Sequence, residues 1–137
     1  NNGNINETGS DIVIYLWASK QGFSKFGKYT GNGSTDGPFV YTGFKPEWLM
    51  IKKSSAAGNN WQISDGKRSP INCTNERLFL DVPDVEATDS LDQDFLSNGF
   101  KIRKSSTLNN VNGGTYVYWA FANSPFVNSK GVPTNAR

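Results

Sequence analysis

Residues 113–125, GGTYVYWAFANSP, contain the segment that decides the fold. The run from Tyr116 to Ala122 carries no charge and no turn-forming residue, and it is rich in aromatic side chains. Gly113 and Gly114 supply a turn before it, and Pro125 ends it because proline has no N–H to give to a strand ladder. The pattern favours a central β-strand over the alternative, a buried helix.

Both faces of this predicted strand are apolar. Alternation places Tyr116, Tyr118, Ala120 and Ala122 on one face, and Val117, Trp119 and Phe121 on the other. A strand that is apolar on both sides needs cover on both sides, so we expect two layers around it. We accordingly place Trp119 in the core.

The segment Asp11–Ser19 shows the same kind of alternation, with Ile12, Ile14 and Leu16 against Val13, Tyr15 and Trp17. It has no polar face either. We predict a second central strand here, pairing near the Tyr116 strand, with Trp17 in the core.

Six further short segments alternate between apolar and polar residues and are separated by Gly- and Asn-rich turns. They lie at Phe26–Thr30, Phe39–Thr42, Trp48–Lys53, Asn60–Ser64 and Arg77–Val82, and from Phe100 onward. Only Val85–Leu96 is a candidate for a short helix. We predict one all-β domain over residues 1–137, an antiparallel β-sandwich of the jelly-roll or lectin-like kind, with polar terminal segments at 1–10 and 127–137.

Composition excludes several classes of function. The net charge is only +2 and the basic residues are scattered, which argues against nucleic acid as a partner. No run of about 18 apolar residues exists, so we expect no membrane insertion. The chain has no His, which removes the Ser/His/Asp and Cys/His catalytic sets and the usual zinc ligands. We therefore predict no catalytic residues, no metal and no cofactor.

For three polar features we prefer a structural role over a catalytic or metal-binding role. Cys73 has no second cysteine to pair with, and we expect a small buried or half-buried side chain rather than a nucleophile. Asn32 and Asp36 lie in GNGSTDG, which we interpret as a plain turn rather than a calcium site. The acidic stretch from Asp81 to Asp94 lacks the spacing of a cation loop, so we interpret it as a solvated loop.

Four segments carry a resemblance to a known family: GFSKFGKYTGNGSTDGPFVYTGFKPEWLMIKK, DFLSNGFKIR, GGTYVYWAFANSPF and the terminal GVPTNAR. They resemble a domain that recurs at the C-terminal end of virion proteins of tailed bacteriophages, a family of unassigned function. The resemblance implies a lectin-like sandwich in a phage structural or fibre protein, located on the virion surface and carried on a longer chain. A chain that starts at Asn1 without Met fits that expectation.

The leading hypothesis for function is a binding module at the tip of a fibre, which contacts a host surface glycan and neighbouring virion subunits. Sugars are held by aromatic rings with amides and charges around their hydroxyls, and this chain is rich in Trp, Tyr and Asn. The alternatives are a decoration or assembly domain without a ligand and, less favoured, a glycan depolymerase using carboxylates such as Glu47, Glu76 and Asp94. We expect a homo-oligomer, with a trimer as the expected form, because fibre proteins close by cyclic symmetry.

The predicted recognition surface lies on loops. SSAAGN, residues 54–59, is too small and polar to be core and is predicted to form a hairpin tip, which places the adjoining Trp61 at the rim. Lys67 and Arg68 follow one short strand later and would supply a cationic fringe for acidic polysaccharide. The predicted ligand-binding residues are Asn59, Asn60, Trp61, Lys67 and Arg68.

Overall fold

The computed structural model describes residues 9, 11, 13–88, 91–125, 128 and 130. Within them the fold is all-β, as predicted, with eight strands and no helix. The strands are β1 (Ser24–Thr30), β2 (Phe39–Tyr41), β3 (Pro46–Lys53), β4 (Gln62–Asp65), β5 (Leu78–Phe79), β6 (Gln93–Leu96), β7 (Gly99–Ile102) and β8 (Thr115–Ala122).

The strands form two antiparallel sheets, which is consistent with the predicted β-sandwich. Sheet A has the order β1-β8-β3-β4-β5, and sheet B has the order β2-β7-β6. The segment that decides the fold, β8, is an inner strand of sheet A with β1 on one side and β3 on the other. This central position confirms what its uncharged composition predicted.

The core lies between the two sheets and is built around aromatic rings. Tyr116 and Tyr118 of β8 are almost fully buried, and the Tyr118 ring meets that of Phe100 on β7 edge-to-face at 5.3 Å between centroids. Tyr29 of β1 stacks on Tyr116 at 5.1 Å. The cluster comprises Tyr29, Val40, Phe44, Leu49, Ile51, Phe95, Phe100, Ile102, Tyr116, Tyr118 and Ala120.

The predicted strand at Asp11–Ser19 is wrong for the residues that the structure describes. Ile12 lies outside them, and residues 13–19 belong to no strand. Their large side chains are exposed, including Leu16 at 88% and Trp17 at 55%, so Trp17 is not in the core. The physical reason is that both edges of β8 are already paired, which leaves no place beside it for this segment.

The remaining differences concern the acidic half of the chain. No helix forms in the described part of Val85–Leu96, whose last residues form β6 and pair with β7 across the turn at Ser97 and Asn98. The Arg77–Val82 strand is reduced to Leu78–Phe79. Asp92 is not solvated: it is buried and receives hydrogen bonds from Arg77 Nη1 at 2.9 Å and Gln62 Nε2 at 3.0 Å.

Candidate functional site

The outer face of sheet A, turned away from the core, is the most unusual surface of the domain. In β8 the residues that alternate with the buried tyrosines are Val117, Trp119 and Phe121, and all three are half-buried. Pairing register extends this face onto the neighbouring strands. Trp119 lies opposite Phe26 on β1 and Met50 on β3, and Phe121 lies opposite Trp48 on β3.

Aromatic rings on this face contact one another across strands. The Phe121 ring meets Phe26 at 5.7 Å and Trp48 at 5.5 Å between centroids, both edge-to-face. The Trp119 ring lies 5.7 Å from that of Trp61, tilted by 35°. We call these five residues, Phe26, Trp48, Trp61, Trp119 and Phe121, the aromatic face.

Two aliphatic side chains beneath the rings support them. Met50 of β3 and Ile63 of β4 are opposite one another in register and point to the same side as Trp119, yet they are only 5% and 7% exposed. Neither belongs to the core cluster between the sheets. They form a second, smaller apolar layer on the outer side of sheet A, on the same side as Trp119.

Trp119 is therefore not a core residue, contrary to the prediction. The prediction that both faces of β8 need cover is met on the inner face by sheet B, whereas on the outer face the described part of the chain supplies no second sheet. The rings of the aromatic face themselves provide the partial cover. They keep part of their surface in contact with solvent, since all five are half-buried.

Charged and polar groups border the aromatic face. Lys28 of β1 and Lys52 of β3 lie on either side of Val117 in register, on the same side of the sheet as the rings. Lys28 is exposed, and Lys52 Nζ donates to the main-chain carbonyl of Asn59 at 2.5 Å. The surface thus combines solvent-accessible rings with ammonium groups at one border.

The structure divides the five predicted ligand-binding residues between the two ends of β4. Asn59, Asn60 and Trp61 precede the strand, and Lys67 and Arg68 follow it. A four-residue strand spans about 13 Å, so the two groups do not converge on one loop pocket. Trp61 joins the aromatic face, and its main-chain N–H donates to Asp81 Oδ1 at 2.9 Å.

Asn59 and Asn60 are half-buried beside Trp61. The Asn59 side-chain amide donates to the carbonyl of Ala57 at 3.2 Å, which fixes the tip of the loop. The SSAAG residues, 54–58, are exposed, as the composition of the tip predicted.

Arg68 does not extend into solvent as a free cation. Its Nη2 lies 2.5 Å from Asp65 Oδ2, and its Nη1 lies 2.8 Å from Glu86 Oε1. Burial acts to raise the pKa of Asp65, but the hydrogen bonds from the Arg68 main chain and side chain outweigh it and lower that pKa. Arg68 is therefore committed to holding the loop after β4.

Lys67 is the exposed member of the pair, with 85% of its side chain accessible, and its Nζ lies 3.5 Å from Glu47 Oε1. It lines a polar pocket of about 180 Å³ at the end of the sandwich, together with Lys45, Glu47, Asn72, Phe95 and Asn123. Glu47 sits at a register shift between β3 and β8 and hydrogen-bonds to the Asn123 amide. This pocket is separate from the aromatic face.

Polar groups elsewhere have structural roles. The Cys73 thiol is half-buried, and burial raises its pKa to about 12, with the carboxylates of Asp94 and Asp92 adding to the effect. A thiol of that kind is protonated at neutral pH and is a poor nucleophile. The Asn32 amide donates to the Asp36 carbonyl at 2.9 Å, closing the turn predicted there.

Two kinds of feature are absent from the described residues. No three Cys, Asp or Glu side chains come together in a group that could hold a metal ion within that part of the chain. Among the same residues there is no helix with the length and apolarity needed to cross a membrane.

Comparison with known proteins gives one match. A family model described as "Domain of unknown function (DUF7483)" matches residues 1–125. The chain belongs to the DUF7483 family. No curated protein and no solved structure matches this DUF7483 domain. The match spans both sheets and the whole aromatic face.

Sequence reasoning found one member of the aromatic face, Trp61, and missed the others as binding residues. A usable signal was present in β3, where Trp48, Met50 and Lys52 alternate with the buried Leu49 and Ile51. The aromatic residues of the outer face lie on β1, β8 and β3, which are neighbours in sheet A but not consecutive in the chain. Alternation along β8 alone predicts a further covering layer instead.

Proposed function

We propose that this DUF7483 domain is the glycan-binding module of a bacteriophage virion protein and that it holds a host surface polysaccharide on its aromatic face. The observation that carries the proposal is that three of the four tryptophans of the chain, Trp48, Trp61 and Trp119, lie on one face of one sheet with part of each ring open to solvent. These rings offer flat apolar surface to a ligand. Because neighbouring rings already restrict their rotamers, binding costs little further side-chain entropy.

The chemistry of the border supports a sugar ligand. Sugars present C–H faces to rings and hydroxyls to surrounding amides and charges, and a surface for them needs both kinds of group. Lys28 and Lys52 flank the rings, and Asn60 lies beside Trp61. The two ammonium groups favour a polysaccharide that carries carboxylates.

The virion setting comes from the resemblance of the four sequence segments to phage virion proteins. On that basis the domain acts on the particle surface as a binding module rather than an enzyme, needs no cofactor, and has host glycan and other virion subunits as partners. It is presented as a homo-oligomer, with a trimer as the expected form. Nucleic acid and membrane insertion have no part in this function.

An array of bacterial capsular and lipopolysaccharide glycans tests the proposal. The purified domain is expected to bind at least one glycan on the array, and Trp48→Ala and Trp119→Ala are each expected to weaken that binding at least tenfold, about 1.4 kcal/mol. Tyr41→Ala is the matched control, because Tyr41 is an exposed aromatic residue of β2, in the sheet that does not carry the aromatic face. Failure of the folded domain to bind any glycan, or equal losses in the control, would contradict the proposal.

A second candidate is an assembly domain that joins virion subunits and has no ligand. The observation that favours it is the run of five exposed apolar side chains at 13–17, which is typical of a protein contact. In that case the full virion protein would assemble normally only with this segment intact, and Trp48→Ala would leave adsorption to host cells unchanged.

A further inference from the structure

The segment from Val13 to Trp17 is exposed although all five of its side chains are large and apolar. The exposed fractions are 76% for Val13, 69% for Ile14, 71% for Tyr15, 88% for Leu16 and 55% for Trp17. Single exposed apolar residues are common in soluble proteins, but a continuous run of this length is not, unless it has a partner.

The segment is attached to an open sheet edge. It leads directly into β1, which is an end strand of sheet A with β8 on its other side. Main-chain hydrogen bonds between β1 and β8 occur at every second residue of β1. The flanking bonds, from Gly31 N–H to Gly114 O and from Ala122 N–H to Phe23 O, set this alternation. The residues of β1 that bond to β8 are therefore Lys25, Gly27 and Tyr29. The main-chain groups of Phe26, Lys28 and Thr30 therefore point away from the sheet.

A hairpin between the segment and β1 begins but stops after one rung. Lys20 and Ser24 exchange both main-chain hydrogen bonds, each at 2.9 Å. The next rung would join Ala18 to Phe26, and the donor and the acceptor of one of its two hydrogen bonds are bonded to serine hydroxyls instead. Ser19 Oγ accepts the Phe26 N–H at 3.2 Å, and Ser24 Oγ donates to the Ala18 carbonyl at 2.8 Å.

The two serines thus divert the chain from its own sheet edge. Among the residues that the structure describes, the apolar segment belongs to no sheet and the sheet edge at 28–30 has no partner strand. Addition of an extended segment to an exposed edge is a common mode of protein association, in which the main chain supplies the hydrogen bonds.

We propose that residues 13–17 of one copy add as a strand to the outer edge of β1 in a second copy of this chain. Each copy both donates a segment and offers an edge, and reciprocal exchange of this kind gives a ring of two or three copies when the rotation between copies closes. The occupant is a second copy because donor and acceptor are present in equal number and are covalently adjacent in every chain.

The area available is sufficient for a stable contact. Side chains of this size expose roughly 150–250 Å² when free, so the five exposed fractions correspond to about 700 Å² per segment. Two exchanged segments contribute about 1,400 Å², before the partner surfaces are counted, which reaches the range of about 1,200–2,000 Å² found in specific interfaces.

Multi-angle light scattering of the purified domain across a concentration series tests the exchange with three variants. The double variant Ile14→Lys/Leu16→Lys places two charges in the donated segment. Lys28→Pro removes an N–H on the outer edge of β1 and leaves the ladder to β8 intact. Val85→Lys, at a residue that is 88% exposed in another part of the domain, is the matched control.

We expect the wild type and Val85→Lys to associate and the other two variants to give the 15.1 kDa monomer. Circular dichroism checks folding, and Thr30→Pro, at the next outward N–H, replaces Lys28→Pro if that variant does not fold. A wild type that stays monomeric at the highest concentration overturns the proposal. Association of the Ile14→Lys/Leu16→Lys variant also overturns it. So does association of the Lys28→Pro variant when the Ile14→Lys/Leu16→Lys variant is monomeric.

Discussion

The two neighbouring residues Tyr118 and Trp119 separate the core from the aromatic face and should respond differently to truncation. Tyr118 is 4% exposed and packs between the sheets, so Tyr118→Ala removes a ring from an enclosed site and should cost about 3–5 kcal/mol in the free energy of unfolding. Trp119 is half-buried on the open side of the sheet, where no closed cavity is left behind.

The expected cost of Trp119→Ala follows from the area it covers. Removing a large, mostly buried apolar side chain loses about 1.5–3 kcal/mol of transfer free energy, and the cavity contribution that adds to the cost of Tyr118→Ala is absent on an open face. If Trp119 were a core residue, as alternation along β8 alone suggested, its loss would match that of Tyr118. The two alternatives differ by about 2 kcal/mol.

Urea denaturation followed by far-ultraviolet circular dichroism measures both values, because this signal does not depend on the tryptophans removed. Val85→Ala serves as a control and should change stability by less than about 0.5 kcal/mol, since the Val85 side chain is 88% exposed and lies outside the strands. A loss for Trp119→Ala equal to or greater than that for Tyr118→Ala would refute the placement of Trp119 on an open face.

Three further predictions follow from single side chains. Trp61→Ala should weaken glycan binding at least tenfold, about 1.4 kcal/mol, as measured by calorimetry. The free energy of unfolding should fall by no more than about 2 kcal/mol. If the variant unfolds while its folded fraction binds glycan with unchanged affinity, Trp61 is not part of the site. Asn110→Ala should destabilise the domain by about 2–4 kcal/mol, because its buried amide joins Asn32 and the Ser34 carbonyl and holds the loop after β1; a loss under 1 kcal/mol by thermal or urea denaturation would contradict this. Burial raises the pKa of Asp92 against the opposing charge of Arg77, so the folded state keeps a proton that the unfolded state loses, and stability should fall as pH rises from about 4 through the folded pKa. Asp92→Asn should remove that slope in urea denaturation series at different pH, and an unchanged slope would assign it to other groups.

Much of the fold was predictable from local pattern. Strand β8 could be identified because an uncharged aromatic run between Gly-Gly and Pro has few other solutions, and β1, β2, β3 and β7 followed from alternation between turn residues. Strand β6 is hard to predict because Gln93–Leu96 has one apolar core residue, Phe95, and the polar Gln93 is buried beside it whereas the apolar Leu96 is only half-buried.

The segment at residues 13–17 shows where pattern alone fails. Its alternation is as strong as that of β8, but a strand needs an open edge as well as a suitable sequence, and both edges of β8 are taken. Hydrogen bonds of Ser19 and Ser24, which determine where the chain leaves β1, cannot be read from periodicity. The local sequence therefore predicts a strand that residues 13–19 do not form.

The candidate site was predictable only in part for a related reason. Trp61 was placed at a rim by its loop, but Lys67 and Arg68 were grouped with it by distance along the chain, whereas β4 holds them at its opposite end. The contacts of Trp61 with Trp119 and of Trp48 with Phe121 join strands far apart in sequence, and only the register of sheet A brings them together.

Proton–nitrogen correlation spectra of the four tryptophan indole groups test the central claim most directly, using the array-selected glycan as the titrant. If the aromatic face binds the glycan, the indole N–H signals of Trp48, Trp61 and Trp119 should shift together with one dissociation constant, while that of Trp17 stays in place. Saturation of binding with the three signals unmoved, or with a shift confined to Trp17, would contradict the proposed site.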